Sequence, residues 1–205
     1  GIYRDVTVVV TDPNFYLMRH PLYITTPQVS ESEATVNVQV EMACYTNQKT
    51  LKTELVITDA AGNEVARQTE DLVFNRKMRT CEYPLKEVKL TNPKLWDCEH
   101  PHLYTAKVTI YHENGEVADC VTERFGVRSL EFSPKFGMKL NGKKILLKGI
   151  ANHHSLGALG SAAYPRAIEK RIQMLKEFGV NHIRTSHNPY SEEFMDLCDE
   201  YGILV

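Results

Sequence analysis

Asn181-His182-Ile183-Arg184-Thr185-Ser186-His187-Asn188-Pro189, then a short amphipathic run and Gly202-Ile203-Leu204-Val205, reads as strand, turn, helix and the start of another strand. Polar side chains cluster where the first of these strands ends. Parallel α/β barrels build their active sites at that end of their strands, so Arg184 and His187 there point to a sugar or phosphate pocket rather than to a core.

Upstream the same period repeats. Lys144-Ile145-Leu146-Leu147-Lys148-Gly149-Ile150 is a nearly continuous apolar run, the pattern of a strand covered on both faces. A helix is predicted from Pro165 to Phe178, with Ile168, Ile172, Leu175 and Phe178 as its apolar stripe, Pro165 in its first turn and Gly179 at its exit. Residues 180 to 186 form the next strand. Ser191 then caps a second helix, Glu192 and Glu193 sit at the positive end of its dipole, and Phe194, Leu197, Cys198 and Tyr201 make its buried face before Gly202 ends it. Strand, helix, strand, helix, strand opens a parallel α/β structure. A closed barrel needs eight such units, so the natural chain is expected to extend in both directions, and the second half to leave apolar faces and sheet edges uncovered.

From about residue 22 to residue 127 the period is two. In Thr35-Val36-Asn37-Val38-Gln39-Val40-Glu41-Met42, the residues Val36, Val38, Val40 and Met42 share one face, as a half-buried antiparallel strand requires. Turns are expected at Ala61-Gly62-Asn63 and at Asn114-Gly115, the latter as a tight hairpin. Several short strands with no helix between them make a β-sandwich of about a hundred residues.

Composition excludes some functions. With 24 Lys and Arg against 26 Asp and Glu, a net charge of −2, the chain lacks the basic field that nucleic acid demands. No run approaches the roughly 20 apolar residues of a membrane span, and Gly1-Ile2-Tyr3-Arg4-Asp5 is not signal-like. Cys44, Cys81, Cys98, Cys120 and Cys198 have no C-x-x-C spacing, which argues against structural zinc and a full disulfide framework; they read as mostly buried thiols, with a Cys44 to Cys120 pair left open.

Four separated motifs then resemble glycoside hydrolase family 2, the β-galactosidase, β-glucuronidase and β-mannosidase group. Gly1-Ile2-Tyr3-Arg4-Asp5-Val6 resembles the last strand of that family's sugar-binding jelly roll. Leu95-Trp96, Pro101 and Leu103-Tyr104 resemble a segment of its immunoglobulin-like domain, and Phe125-Gly126-Val127-Arg128 the exit from it. Leu140-Asn141-Gly142-Lys143, Leu147-Lys148-Gly149 and His153 resemble the first barrel strand and its loop, and residues 181 to 205 the family's pattern N-x-x-R-x-S-H-x-P…D-x-x-G. The resemblance implies a jelly-roll end over residues 1–12, an immunoglobulin-like β-sandwich over 13–127 and the first β/α units of a truncated TIM barrel over 128–205.

It further implies retaining hydrolysis of β-glycosidic bonds, with one carboxylate as acid/base and a second as nucleophile. By the resemblance the acid/base Glu follows an Asn at the end of the fourth barrel strand and the nucleophile lies farther on, so no catalytic residue is expected in this chain and the fragment alone is expected to be inactive. Glu192, Glu193 and Glu200 read as solvated helix residues. By the resemblance His153 and His187 contact the sugar, Arg184 neighbours the nucleophile and keeps it ionised, and Asn188 is a weaker contact. A His at a strand end is otherwise a surface or capping residue, and Arg184 a structural ion-pair partner. His153, His154 and His187 as a metal cluster lack a companion carboxylate motif, so neither metal nor cofactor is expected. Many members have an acidic residue where this chain has Ser155, which leaves the glycone open. His20, His100, His102 and His112 belong by sequence to the sandwich half and read as surface residues.

The partner expected is a carbohydrate, with homo-oligomerisation of the parent left open and export to periplasm or medium favoured by analogy with polysaccharide-degrading members. The competing readings are a non-catalytic carbohydrate-binding or adaptor sandwich, and an unrelated barrel enzyme using its His residues as acid and base.

Overall fold

The computed structural model describes residues 6–45, 50–73 and 78–205. Residues 1–5, which carry most of the first motif, lie outside the described residues. The chain divides into two compact units, one of residues 9–94 and 103–129, the other of residues 95–102 and 130–205 with 6–8.

The first unit is the expected sandwich. Its strands are β1 (Phe15–Val29), β2 (Glu33–Cys44), β3 (Thr50–Thr58), β4 (Glu64–Val73), β5 (Met78–Pro84), β6 (Val88–Thr91), β7 (Tyr104–Tyr111) and β8 (Val117–Phe125). One sheet runs β1-β2-β5, with β6 following β5 along the same edge of β2; the other runs β4-β3-β7-β8, and every pairing is antiparallel. Alternation decides which face is buried: Val36, Val38, Val40 and Met42 of β2, and Leu51, Leu55 and Ile57 of β3, are all buried. β1 begins at Phe15, earlier than the alternation suggested, because the strand is interrupted at His20 (φ 53°), where the register against β2 shifts between Leu17 and Leu22.

The turn chemistry differs from expectation in one place. At Asn114-Gly115 only Gly115 has a positive φ, 84°, and the turn closes from His112 to Glu116, with the ladder shifting beside Tyr111. The two-residue turn with both central φ angles positive falls instead at Asn141 (51°) and Gly142 (74°), between paired Leu140 and Lys143. Leu140–Lys143 is therefore a hairpin and not part of a barrel strand. It joins β10 (Gly137–Leu140) to β11 (Lys143–Ile145), and β9 (Leu130–Ser133) completes a small antiparallel sheet.

The apolar run at 144–150 is correspondingly not one strand. Ile145 pairs with Met138 inside the hairpin sheet, Leu146 is 74% exposed, and β12 (Gly149–Asn152) starts afresh. Asn181 stabilises this break: its Oδ1 accepts from Lys148 N (2.8 Å) and its Nδ2 donates to Leu146 O (3.0 Å), so the connector's backbone groups find partners off the ladder.

After β12 come α1 (Pro165–Glu177), β13 (His182–Thr185) and α2 (Glu192–Tyr201). β12 and β13 are parallel, with Gly149, Ile150, Ala151 and Asn152 opposite His182, Ile183, Arg184 and Thr185, and Leu204 bridges on beside His182 in the same sense. Ile183 is buried with Ile168, Ile172, Phe194, Cys198 and Ile203, and Ile150 packs against them, so this face of the parallel pair is the one the helices cover. Ala151 and Arg184 are exposed on the opposite face. Phe178 departs from the predicted stripe and is 81% exposed. At 100° per residue it lies about 80° around the helix from Ile168, at the margin of the buried face, and it is the residue at which α1 ends.

Ser191 caps α2 as expected, its side chain accepting from Phe194 N at 3.4 Å. That bond is long, so Ser191→Ala is expected to cost about 0.5–1 kcal/mol of local stability. Amide exchange across the first turn of α2 reads the effect, and unchanged protection there contradicts it.

Residues 95–102 pack with the barrel-like residues. Trp96 is 1% exposed, its Nε1 donates to Asp199 O (2.8 Å), and its carbonyl accepts from Asn141 Nδ2 (3.0 Å). Lys176 Nζ donates to Cys98 O at 2.6 Å. His100 and His102, expected with the sandwich, are exposed members of this segment instead. The reason is the indole: a buried Trp needs both apolar cover and an acceptor for its N–H, and the end of α2 supplies that acceptor. The five cysteines are free; Cys44, Cys98 and Cys198 are buried, Cys81 is half-buried and Cys120 is exposed, and burial pushes the Cys198 thiol up to about 12.

Candidate functional site

The site lies where β12 and β13 end. Because the two strands are parallel and in register, both deliver their following loops to the same edge, and His153 and His187 meet there with ring centroids 6.1 Å apart in an edge-to-face arrangement. Both are exposed. His187 reaches this position through a left-handed backbone (φ 60°), with its N–H turned back to Thr185 O at 3.1 Å. That conformation costs a non-glycine residue roughly 1–2 kcal/mol, which the surrounding turn must offset.

Arg184 stands on the face away from the helices, opposite Ala151, and is exposed. Among the described residues no carboxylate pairs with it. Asn188 lies in the same turn, and its Nδ2 donates to Ser186 O (2.9 Å). The structure thus brings His153 and His187 together, puts Arg184 on the open face of the same strand pair, and commits the Asn188 amide donor to the turn. Among the described residues no three His, Cys, Asp or Glu side chains are grouped to hold a metal ion. Glu192, Glu193 and Glu200 are exposed on α2, which packs on the covered face of the strand pair.

Three residues the sequence reading passed over shape this site. Asn152 ends β12, and its carbonyl accepts from Ser186 N (2.8 Å) and from the Tyr190 hydroxyl. Tyr190 packs at a tilt against Phe194, ring centroids 4.4 Å apart, and lies edge-to-face with His154 at 6.5 Å. Arg171, on α1, reaches the first loop. Burial pulls its guanidinium below the usual arginine range and pushes the Tyr190 hydroxyl up, and both groups stay protonated at neutral pH. The only sequence signal for Arg171 was a cation placed directly before Ile172 on the apolar side of a helix.

The fold and the site define a class: an immunoglobulin-like sandwich followed by the opening units of a parallel α/β barrel, with polar residues at the strand ends where such barrels carry chemistry. Residues 21–128 match the family model for glycosyl hydrolases family 2, and residues 135–205 match that family's TIM barrel domain. The chain belongs to glycosyl hydrolases family 2. Beta-galactosidase BoGH2A of Bacteroides ovatus is 34% identical over 217 residues, which take in 100% of this chain and 24% of that protein. Beta-glucuronidase of Bacteroides fragilis is 30% identical over 211 residues, 100% of this chain and 30% of that protein. A crystal structure of a glycosyl hydrolase family 2 member from Bacteroides cellulosilyticus superposes with a TM-score of 0.89 at 32% identity, covering 95% of this chain and 26% of that one. The chain spans about a quarter of the length of the curated relatives it matches.

Proposed function

We propose that the whole protein is a retaining β-glycosidase and that these residues form one side of its glycone pocket. His153 and His187 donate to ring hydroxyls of a terminal sugar, and Arg184 keeps a neighbouring carboxylate nucleophile ionised. The acid/base and nucleophilic carboxylates, about 5–5.5 Å apart in a retaining enzyme, are supplied from outside the 205 residues. The observation that carries the reading is the pairing of His153 with His187 at the common end of two parallel strands whose open face presents Arg184. Both β-galactosidases and β-glucuronidases occur among the relatives, so either glycone fits this reading.

The test is hydrolysis of a panel of aryl β-glycosides by the full-length protein, with the anomer of the first product followed by NMR. Cleavage of at least one β-glycoside with release of the β-anomer is expected. No cleavage across the panel removes the activity, and release of the α-anomer removes the double-displacement mechanism. The competing reading, a sugar-binding sandwich, loses its best platform because the sole Trp is buried.

A further inference from the structure

His153 follows the last residue of β12, so the strand alone does not fix where its ring points. The backbone around it is held from α1. Arg171 Nη1 donates to Asn152 Oδ1 (2.9 Å) and to His153 O (3.2 Å), and Nη2 donates to Ser155 O (2.8 Å). One planar guanidinium thus grips acceptors on both sides of the His153 side chain. Asn152 is also the tie to the second loop, since its carbonyl accepts from Ser186 N (2.8 Å) and from the Tyr190 hydroxyl. His187 is the residue immediately after Ser186. The chain that follows Ser155 holds itself by a local turn, Leu156 N donating to Gly160 O (2.9 Å) through Gly157 and Gly160 at positive φ (52° and 56°), and Leu156 packs on the helix-covered core. The side-chain hydrogen bonds to Asn152 Oδ1, His153 O and Ser155 O themselves come from Arg171.

We propose that Arg171 is a positioning residue for the glycone pocket: by clamping Asn152, His153 and Ser155 it sets the His153 imidazole against His187. The proposal rests on the β-glycosidase reading. The physical reason Arg is needed is geometric, because its donors form a rigid fork that serves three acceptors at once, whereas a lysine ammonium is a single point on a flexible stem. Loss of the fork frees the loop to carry His153 away from the sugar, and displacements near 1 Å in such a group cost up to roughly a hundredfold.

The experiment compares Arg171→Met and Arg171→Lys in the full-length enzyme. Arg171→Met keeps the stem and removes the donors; KM for an aryl β-glycoside is expected to rise roughly tenfold, with kcat per active site changing far less. Arg171→Lys, which retains one donor head, is expected to recover part of the loss and carries the test alone if the Met variant does not fold. Unchanged KM with a lowered thermal midpoint overturns the proposal, since that is what support of the fold alone produces. So does a Lys variant indistinguishable from wild type. If the wild-type protein cleaves no β-glycoside, the functional reading fails separately, and the clamp is judged on the His153 and His187 imidazole resonances. They shift in Arg171→Met if the clamp sets their geometry, and unshifted resonances reject it.

Discussion

Gly202→Ala is expected to destabilise the barrel-like unit by about 2–5 kcal/mol. Two independent penalties meet at this residue. Gly202 ends α2 in the left-handed region (φ 68°), which costs an L-residue roughly 1–2 kcal/mol. A Cβ there would also lie 2.5 Å from Cys98 O and 2.9 Å from Cys98 C, atoms of backbone rather than of a flexible side-chain end. That carbonyl is already held by Lys176 Nζ at 2.6 Å, and Trp96, two residues earlier, is tied to Asp199 O, so retreat of the 95–102 segment is opposed by both bonds. Overpacking against such a neighbour costs roughly 1–3 kcal/mol more. Gly179→Ala is the control, because Gly179 shares the positive φ (77°) but its Cβ would meet nothing within 4 Å. Amide-exchange opening energies for α2 and for Ile203 and Leu204 in the full-length protein measure both variants. Equal losses in the two would show that the Cys98 contact contributes nothing.

His187→Ala is expected to weaken glycone binding by one to two orders of magnitude in the full-length enzyme. A hydrogen bond between a sugar hydroxyl and a positioned imidazole is worth up to roughly 3 kcal/mol when its loss strands the partner, and each 1.4 kcal/mol is about tenfold. His187→Asn separates the side chain's donor from its backbone, because Asn tolerates the left-handed region that His187 occupies (φ 60°) and retains a donor. Its loss is expected to be smaller than that of Ala. In a double-mutant cycle, His153 and His187 are expected to couple, since their rings approach to 6.1 Å. The pH profile decides between roles: an unchanged profile with weakened affinity fits hydroxyl recognition, and disappearance of a limb makes His187 an acid or base instead.

Much of the fold was legible because it is written in short-range periods. The alternation from Val36 to Met42 buries the face it predicts, Ser191 and Gly202 delimit α2 as capping chemistry requires, and parallel β12 and β13 follow from apolar runs separated by a helix. What failed did so where the pattern was ambiguous between neighbours. The 144–150 run holds the end of a hairpin and the approach to a parallel strand, and apolar character alone does not mark the break that Asn181 stabilises. Phe178 satisfied the helical period but lay at the edge of the stripe, where exposure depends on what else packs nearby.

The candidate site divides in the same way. Arg184 and His187 were legible as polar residues at a strand end, which is a local property, whereas the roles expected of His153, His187, Arg184 and Asn188 came from the resemblance to the family's motifs. The clamp was not legible, because Arg171 is 16 to 19 residues from its acceptors and meets them only when α1 has packed back on the strand pair. The 95–102 segment is a more distant case: Trp96 finds its acceptor at Asp199, 103 residues along the chain. The sequence by itself determined the two periods, the caps, the parallel units and the polar strand ends, since each is set by interactions within a few residues. Only the tertiary structure decided which cation holds His153, which segment covers the end of α2, and that the two histidines face each other, since these depend on the register and packing of elements far apart in sequence.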